Sequence, residues 1–204
     1  MFQRTSIWAL LITSTSLLIS GCSKKHQVVW HLDNLQEIAG NRITVEGNPK
    51  VIDTPHGKAI EFDGGDDGIF LDVHPIAGLS EFTVEVIFNP YLGGAPEQRF
   101  FHMQENDSED RVMFETRLVE DELWYIDTFI KSGEQNVPML AKDDTHKIGP
   151  WYHGAIVVQD NIFTHFVNGQ KEMSEPLEYS PPGEGRTSLG VRLNKVHWFK
   201  GAIR

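Results

Sequence analysis

Along residues 82–90, FTVEVIFNP, the side chains of Phe82, Val84, Val86 and Phe88 fall on one side of an extended chain, and those of Thr83, Glu85 and Ile87 on the other. A period of two marks a strand with one face buried. Runs of this kind recur and predict strands over 28–32, 43–46, 49–53, 58–63, 68–73, 81–89, 98–104, 111–118, 122–131, 151–159, 161–168, 170–174, 186–192 and 196–203. Helical spacing is nowhere sustained; LDNLQEIAG, ending at Gly40, is the one stretch that suggests a short helix with a glycine stop.

The punctuation between runs supports the same picture. In VNGQ, Asn168 and Gly169 take the two central positions of a type I′ turn, where both residues need positive φ, so IFTHFVNGQKEM predicts a hairpin; VQDNI at 158–162 turns back in the same way. SPPGEG at 180–185 cannot lie in a central strand, because consecutive prolines remove ladder donors. About a dozen antiparallel strands cannot form one open sheet without leaving a face wet, so two stacked sheets are expected. AIVV at 155–158 and FFHM at 100–103 break the alternation and suggest central strands covered on both sides.

The first two dozen residues stand apart. Arg4 precedes an apolar stretch from Ile7 to Ile19 that is short for a bilayer span, and LISGC leads to Cys22, the one cysteine of the chain. This resembles a bacterial lipobox. It implies a signal peptide over 1–21, a lipidated tether over 22–27 that anchors the chain to a membrane through acyl chains on Cys22, and a folded domain over 28–204. Ser23 after the cysteine implies outer-membrane sorting in the cell envelope. A lone cysteine excludes a disulfide framework or a cysteine-based zinc cluster. The net charge of −11 disfavours nucleic acid and anionic lipid headgroups as partners, and makes divalent cations easier to hold.

The order of landmarks carries a further signal. GKAIEFDGGDDGIFLDV (57–73), LSEFTVEVIFNP (79–90), GPWYHGAIVVQDNIFTHFVNGQ (149–170), TSLGVR (187–192) and FKGAIR (199–204) resemble the successive signatures of the laminin-G-like, concanavalin A-like lectin/glucanase superfamily. The resemblance implies an all-β antiparallel jelly-roll sandwich, a face that often holds saccharide, and in many members calcium near the rim. It also implies that the Trp of Trp151 and His153 lies in the interior, with Trp198 and Phe199 closing the core. Relatives usually run on past the last motif, so either the final strand is short or the sequence stops early.

Several positions carry candidate chemistry. Glucanases of the superfamily place carboxylates at alternate strand positions, and Glu105, Asp107 and Glu109 in ENDSE have that spacing; the Asn and Ser between them read instead as a solvated loop. DRVMFETRL puts Arg111, Met113, Glu115 and Arg117 on one face, suited either to polar ligand contacts or to an ion-pair ladder. Tyr125 and Asp127 share a face in the next strand, and a tyrosine ring can stack on a pyranose. Glu115, Arg117, Tyr125 and Asp127 therefore form the candidate ligand-binding set. Asp63, Asp66 and Asp67 surround a glycine turn and are candidate calcium ligands.

The expectation is a lipid-anchored, non-catalytic module that binds a glycan. The alternatives are a glycoside hydrolase, which needs Glu105 and Glu109 on a regular strand facing a groove, and a protein-interaction module of the envelope, which needs a flat exposed apolar patch.

Overall fold

The computed structural model describes residues 27–120 and 122–204; the signal peptide and Cys22 lie outside the described residues. Seventeen strands follow one another without a helix among the described residues. They are β1 (Glu37–Ile38), β2 (Asn41–Arg42), β3 (Thr44–Glu46), β4 (Lys50–Thr54), β5 (Gly57–Asp63), β6 (Gly68–Leu71), β7 (Phe82–Pro90) and β8 (Glu97–Glu105). There follow β9 (Arg111–Val119), β10 (Leu123–Ser132), β11 (Gln135–Leu140), β12 (His146–Lys147), β13 (Tyr152–Gln159), β14 (Ile162–Val167), β15 (Gln170–Pro176), β16 (Gly185–Leu189) and β17 (Lys200–Ile203).

Two antiparallel sheets carry the fold. One runs β11-β10-β9-β8-β16-β6-β3, with β12 also paired to β10; the other runs β15-β14-β13-β7-β17-β5-β4. Neighbours in space come from distant parts of the chain, as a jelly roll requires. The predicted turns hold: Asp160 and Asn161 have φ of 53° and 59°, Asn168 and Gly169 of 49° and 76°. The LDNLQEIAG segment is not a helix. Asn34 accepts the amides of Gln36 and Glu37, and Ala39 and Gly40, both at positive φ, close a small β1-β2 hairpin.

The core is what the period-two pattern leaves between the layers. Phe82, Val86 and Phe88 of β7 are buried, and the Phe88 ring stacks on Phe100 of the opposing sheet at 4.3 Å. Trp124 meets Phe88 edge-on at 5.3 Å, and Phe199 lies 5.4 Å from Phe100. Burying each such ring stabilises the fold by about 1.5–3 kcal/mol. Gly154 makes room for this cluster, since a Cβ there would stand 3.1 Å from the Phe88 ring. A fully buried polar contact crosses the core, between Thr128 Oγ1 of β10 and His165 Nδ1 of β14 at 2.7 Å.

Several expectations need correction. Residues 28–32 form no strand, although Leu32 is buried and Trp30 packs 6.3 Å from Phe101. Trp151 precedes β13 and is only partly buried; Tyr152 takes the interior position, and His153 points to the outer face, 3.4 Å from Glu85. Trp198 is also partly exposed and lies over Gly68, where a Cβ would approach its ring to 3.2 Å. The last strand begins at Lys200 rather than 196, because the segment before it folds across the other sheet: Arg99 N donates to His197 O, and Leu193 N donates to His102 Nδ1.

Candidate functional site

Strand register sets the outer face of the sheet containing β8, β9 and β10. Asp127 stands opposite Glu115, and Tyr125 opposite Arg117; on the other side of β9, Arg99 faces Glu115 and Glu97 faces Arg117. All four sequence-derived ligand residues, Glu115, Arg117, Tyr125 and Asp127, thus share one face. Sequence reasoning missed Glu97 and Arg99. A bulge between Arg99 and Phe101 adds one residue to β8, so Phe100 and Phe101 both turn inward and the outward series Glu97, Arg99, His102, Gln104 loses its simple period.

The five charged side chains form one network. Arg117 places Nε 2.7 Å and Nη2 2.6 Å from Asp127 Oδ2, Nη2 3.4 Å from Glu115 Oε2, and Nη1 against Glu97 Oε1. Arg99 sets Nε 2.9 Å from Glu115 Oε2 and Nη1 3.1 Å from Glu97 Oε2. Glu115 and Asp127 are each only 2% exposed. Three carboxylates meet two guanidiniums. Burial, and then the neighbouring Asp127, push the Glu115 carboxyl up to about 7 against the pull of Arg99 and Arg117. Burial raises Asp127 too, opposed by Arg117. Glu97, at the open side, moves the other way because Arg99 bonds its carboxylate.

This arrangement is the cross-strand ladder that the alternation also allowed, and it changes what each residue can do. Glu115 and Asp127 are locked to arginines and reach no solvent; Tyr125, partly exposed beside Arg117, is the member a ligand can touch. Locked guanidiniums are rigid, which lowers the cost of ordering them on binding.

The segment 105–109 does not form a catalytic strand. Glu105 is the last residue of β8, with Oε1 accepting the Gly183 amide at 2.8 Å, and 106–109 turn away, Asp107 at φ 53°. With 186 and 193 they border a cleft of about 330 Å³.

Asp63, Asp66 and Asp67 each bring a ligand oxygen within 4.8 Å of the others. Their oxygens are largely engaged. Asp67 is buried and accepts the Asn48 amide on Oδ1 and the Asp63 amide, at 2.9 Å, on Oδ2; Asp63 Oδ1 accepts Gly65 N at 2.7 Å and Asp66 N at 3.3 Å. The Gly65 amide above all holds the Asp63 carboxyl below its ordinary range. The set closes a glycine turn; to reach the about six to eight oxygens that calcium takes, backbone carbonyls and waters would have to join the carboxylate oxygens left over.

Two antiparallel sheets stacked in this strand order make a jelly-roll sandwich. The family model described as concanavalin A-like lectin/glucanases superfamily matches residues 63–204, and the chain belongs to that superfamily. No curated protein sequence matches it. Solved structures with a similar fold include domain 4 of AbnA, a GH43 extracellular arabinanase from Geobacillus stearothermophilus, in complex with arabinotriose; it is 17% identical, with 83% of this chain and 84% of that chain covered and a TM-score of 0.61. The SAP-like pentraxin of Limulus polyphemus is 12% identical over 71% of this chain and 72% of that one, with a TM-score of 0.57. Domains LG4-5 of the mouse laminin alpha1 chain are 11% identical over 71% of this chain and 40% of that one, with a TM-score of 0.51.

Proposed function

We propose that this chain is a non-catalytic glycan-binding module, held at the surface of a bacterial outer membrane by lipid on Cys22. The observation that carries the glycan reading is the partly exposed Tyr125 ring, in register with the fixed Arg117 on an outer face where a pyranose can stack. The similar fold of the arabinanase domain, solved with arabinotriose, supports the same class of ligand.

One observation weighs against the glycoside hydrolase: a glucanase strand at 105–109 is replaced by a turn.

The test is affinity electrophoresis of the full-length protein through gels containing arabinan, other neutral polysaccharides or acidic ones. Retardation that Tyr125→Ala abolishes without lowering Tm is expected. Migration unchanged in every gel overturns the reading. Lipid attachment is tested separately, by incorporation of a labelled fatty acid that Cys22→Ser abolishes, and location by membrane fractionation.

A further inference from the structure

The same outer face has a second row of side chains whose chemistry the ion network leaves unused. Arg186 of β16 stands opposite Gln104 of β8, Gln104 opposite Arg111 of β9, and Arg111 opposite Lys131 of β10, so three cations line up across four strands. Between this row and the ion network lies Phe129, partly exposed, with the Arg111 guanidinium 4.7 Å from its ring centroid. Arg192, on the segment that folds over the sheet, lies close enough to Arg111 to depress its pKa, an effect second only to burial.

Among the described residues Arg186, Lys131 and the Arg192 side chain make no ion pair, in a protein whose net charge is −11. Arg111 holds only Glu109, through Nη1 at 2.8 Å to its carbonyl oxygen and 3.4 Å to its carboxylate. Its Nε and that of Arg192 are shut off from water without an acceptor. Beneath the row, His102 is fully buried opposite Met113 and Ser188, and its Nδ1 accepts the Leu193 amide, which ties the segment carrying Arg192 to the sheet.

Nearby acids do not supply the missing partner. Glu105 takes the Gly183 amide, Asp110 takes the Gly133 amide on both oxygens, Glu109 is on Arg111, and Asp107 is exposed at the tip of its turn.

We infer that the row Arg186–Gln104–Arg111–Lys131, with Arg192 above it, receives an oxyanion carried by the glycan, so that the ligand is an acidic polysaccharide whose ring lies over Phe129. This rests on the proposed glycan-binding role of the face and specifies its ligand class. A carboxylate or a sulfate would serve the same donors, with arginine forks suited to either.

The experiment compares affinity of the full-length protein for polygalacturonate, dextran sulfate and neutral arabinan by gel retardation, at low and at high salt. Arg186 and Lys131 are accessible enough to be changed without disturbing the core. Binding to at least one acidic polymer about tenfold or more tighter than to arabinan, weakened by salt and by Arg186→Gln/Lys131→Gln, is expected. The polymer retained distinguishes carboxylate from sulfate. Arabinan bound as tightly as both acidic polymers, or acidic binding untouched by the double substitution, overturns the inference and leaves the glycan reading standing. No retardation by any polymer overturns both.

Discussion

Glu115 and Asp127 stand directly opposite one another on adjacent strands, and both carboxylates close on the guanidinium of Arg117. Two like charges in a buried cross-strand pair repel unless a cation lies between them. Arg117→Met therefore leaves two carboxylates without their shared partner, and urea unfolding should show a loss of about 3–5 kcal/mol. Adding Glu115→Gln and Asp127→Asn to that variant should restore part of the loss. A loss below about 1 kcal/mol in the single variant would mean the network is mere surface decoration.

Acid and base act on this fold in opposite senses at different sites. The folded Glu115 carboxyl titrates at about 7 instead of 4.5, so its contribution is fully present below the unfolded value and fades as pH rises through 7. Burial lowers His102 to about 3 and His165 to about 4 from 6.5; their contribution is present above 6.5 and fades as pH falls. Glu115→Gln removes only the first effect. Relative to wild type it should gain up to about 1.4 kcal/mol per pH unit between about pH 5 and 7, read from Tm or urea midpoints at each pH. A constant difference across that range would contradict a protonated Glu115.

The contact between Thr128 and His165 is a fully buried polar tie between the two layers. Thr128→Val keeps the shape and removes the hydroxyl, leaving both ring nitrogens of a fully buried imidazole unpartnered. The expected loss is about 1–3 kcal/mol, measured by chemical unfolding. An unchanged midpoint would mean a water replaces the hydroxyl.

At the acidic turn, Asp67→Asn sets an amide donor against one of two backbone N–H groups that the carboxylate accepts. A loss of about 1–3 kcal/mol is expected. The drop in Tm should be equal in calcium and in chelator. A drop confined to calcium would make Asp63, Asp66 and Asp67 a metal site.

What the sequence made legible follows from where one influence dominated. β7, β9 and β10 are legible because apolar residues recur at alternate positions where one face packs on the core, and the Asn168–Gly169 turn is written in residues that tolerate positive φ. β11 escapes the pattern because it is a short edge strand interrupted by Pro138, with ladder bonds to make on one side only. The 28–32 run is apolar because Leu32 and Trp30 seal the core's margin, a role that needs burial without pairing. Of the site, Glu115, Arg117, Tyr125 and Asp127 were readable within two consecutive strands. Glu97 and Arg99 were not, since their strand is out of phase; Arg186 and Arg192 join the face only through long-range register and a returning segment.

The extra residue at positions 99–101 makes β8 a strand of two phases, with rings turned to the core on one side of the irregularity and donors turned outward on both. Loss of a single residue there would rotate everything on one flank by half a turn, sending phenylalanine to the solvent or arginine to the interior. Substitution can therefore reshape this surface one side chain at a time, whereas insertion or deletion within that short segment is closed to it.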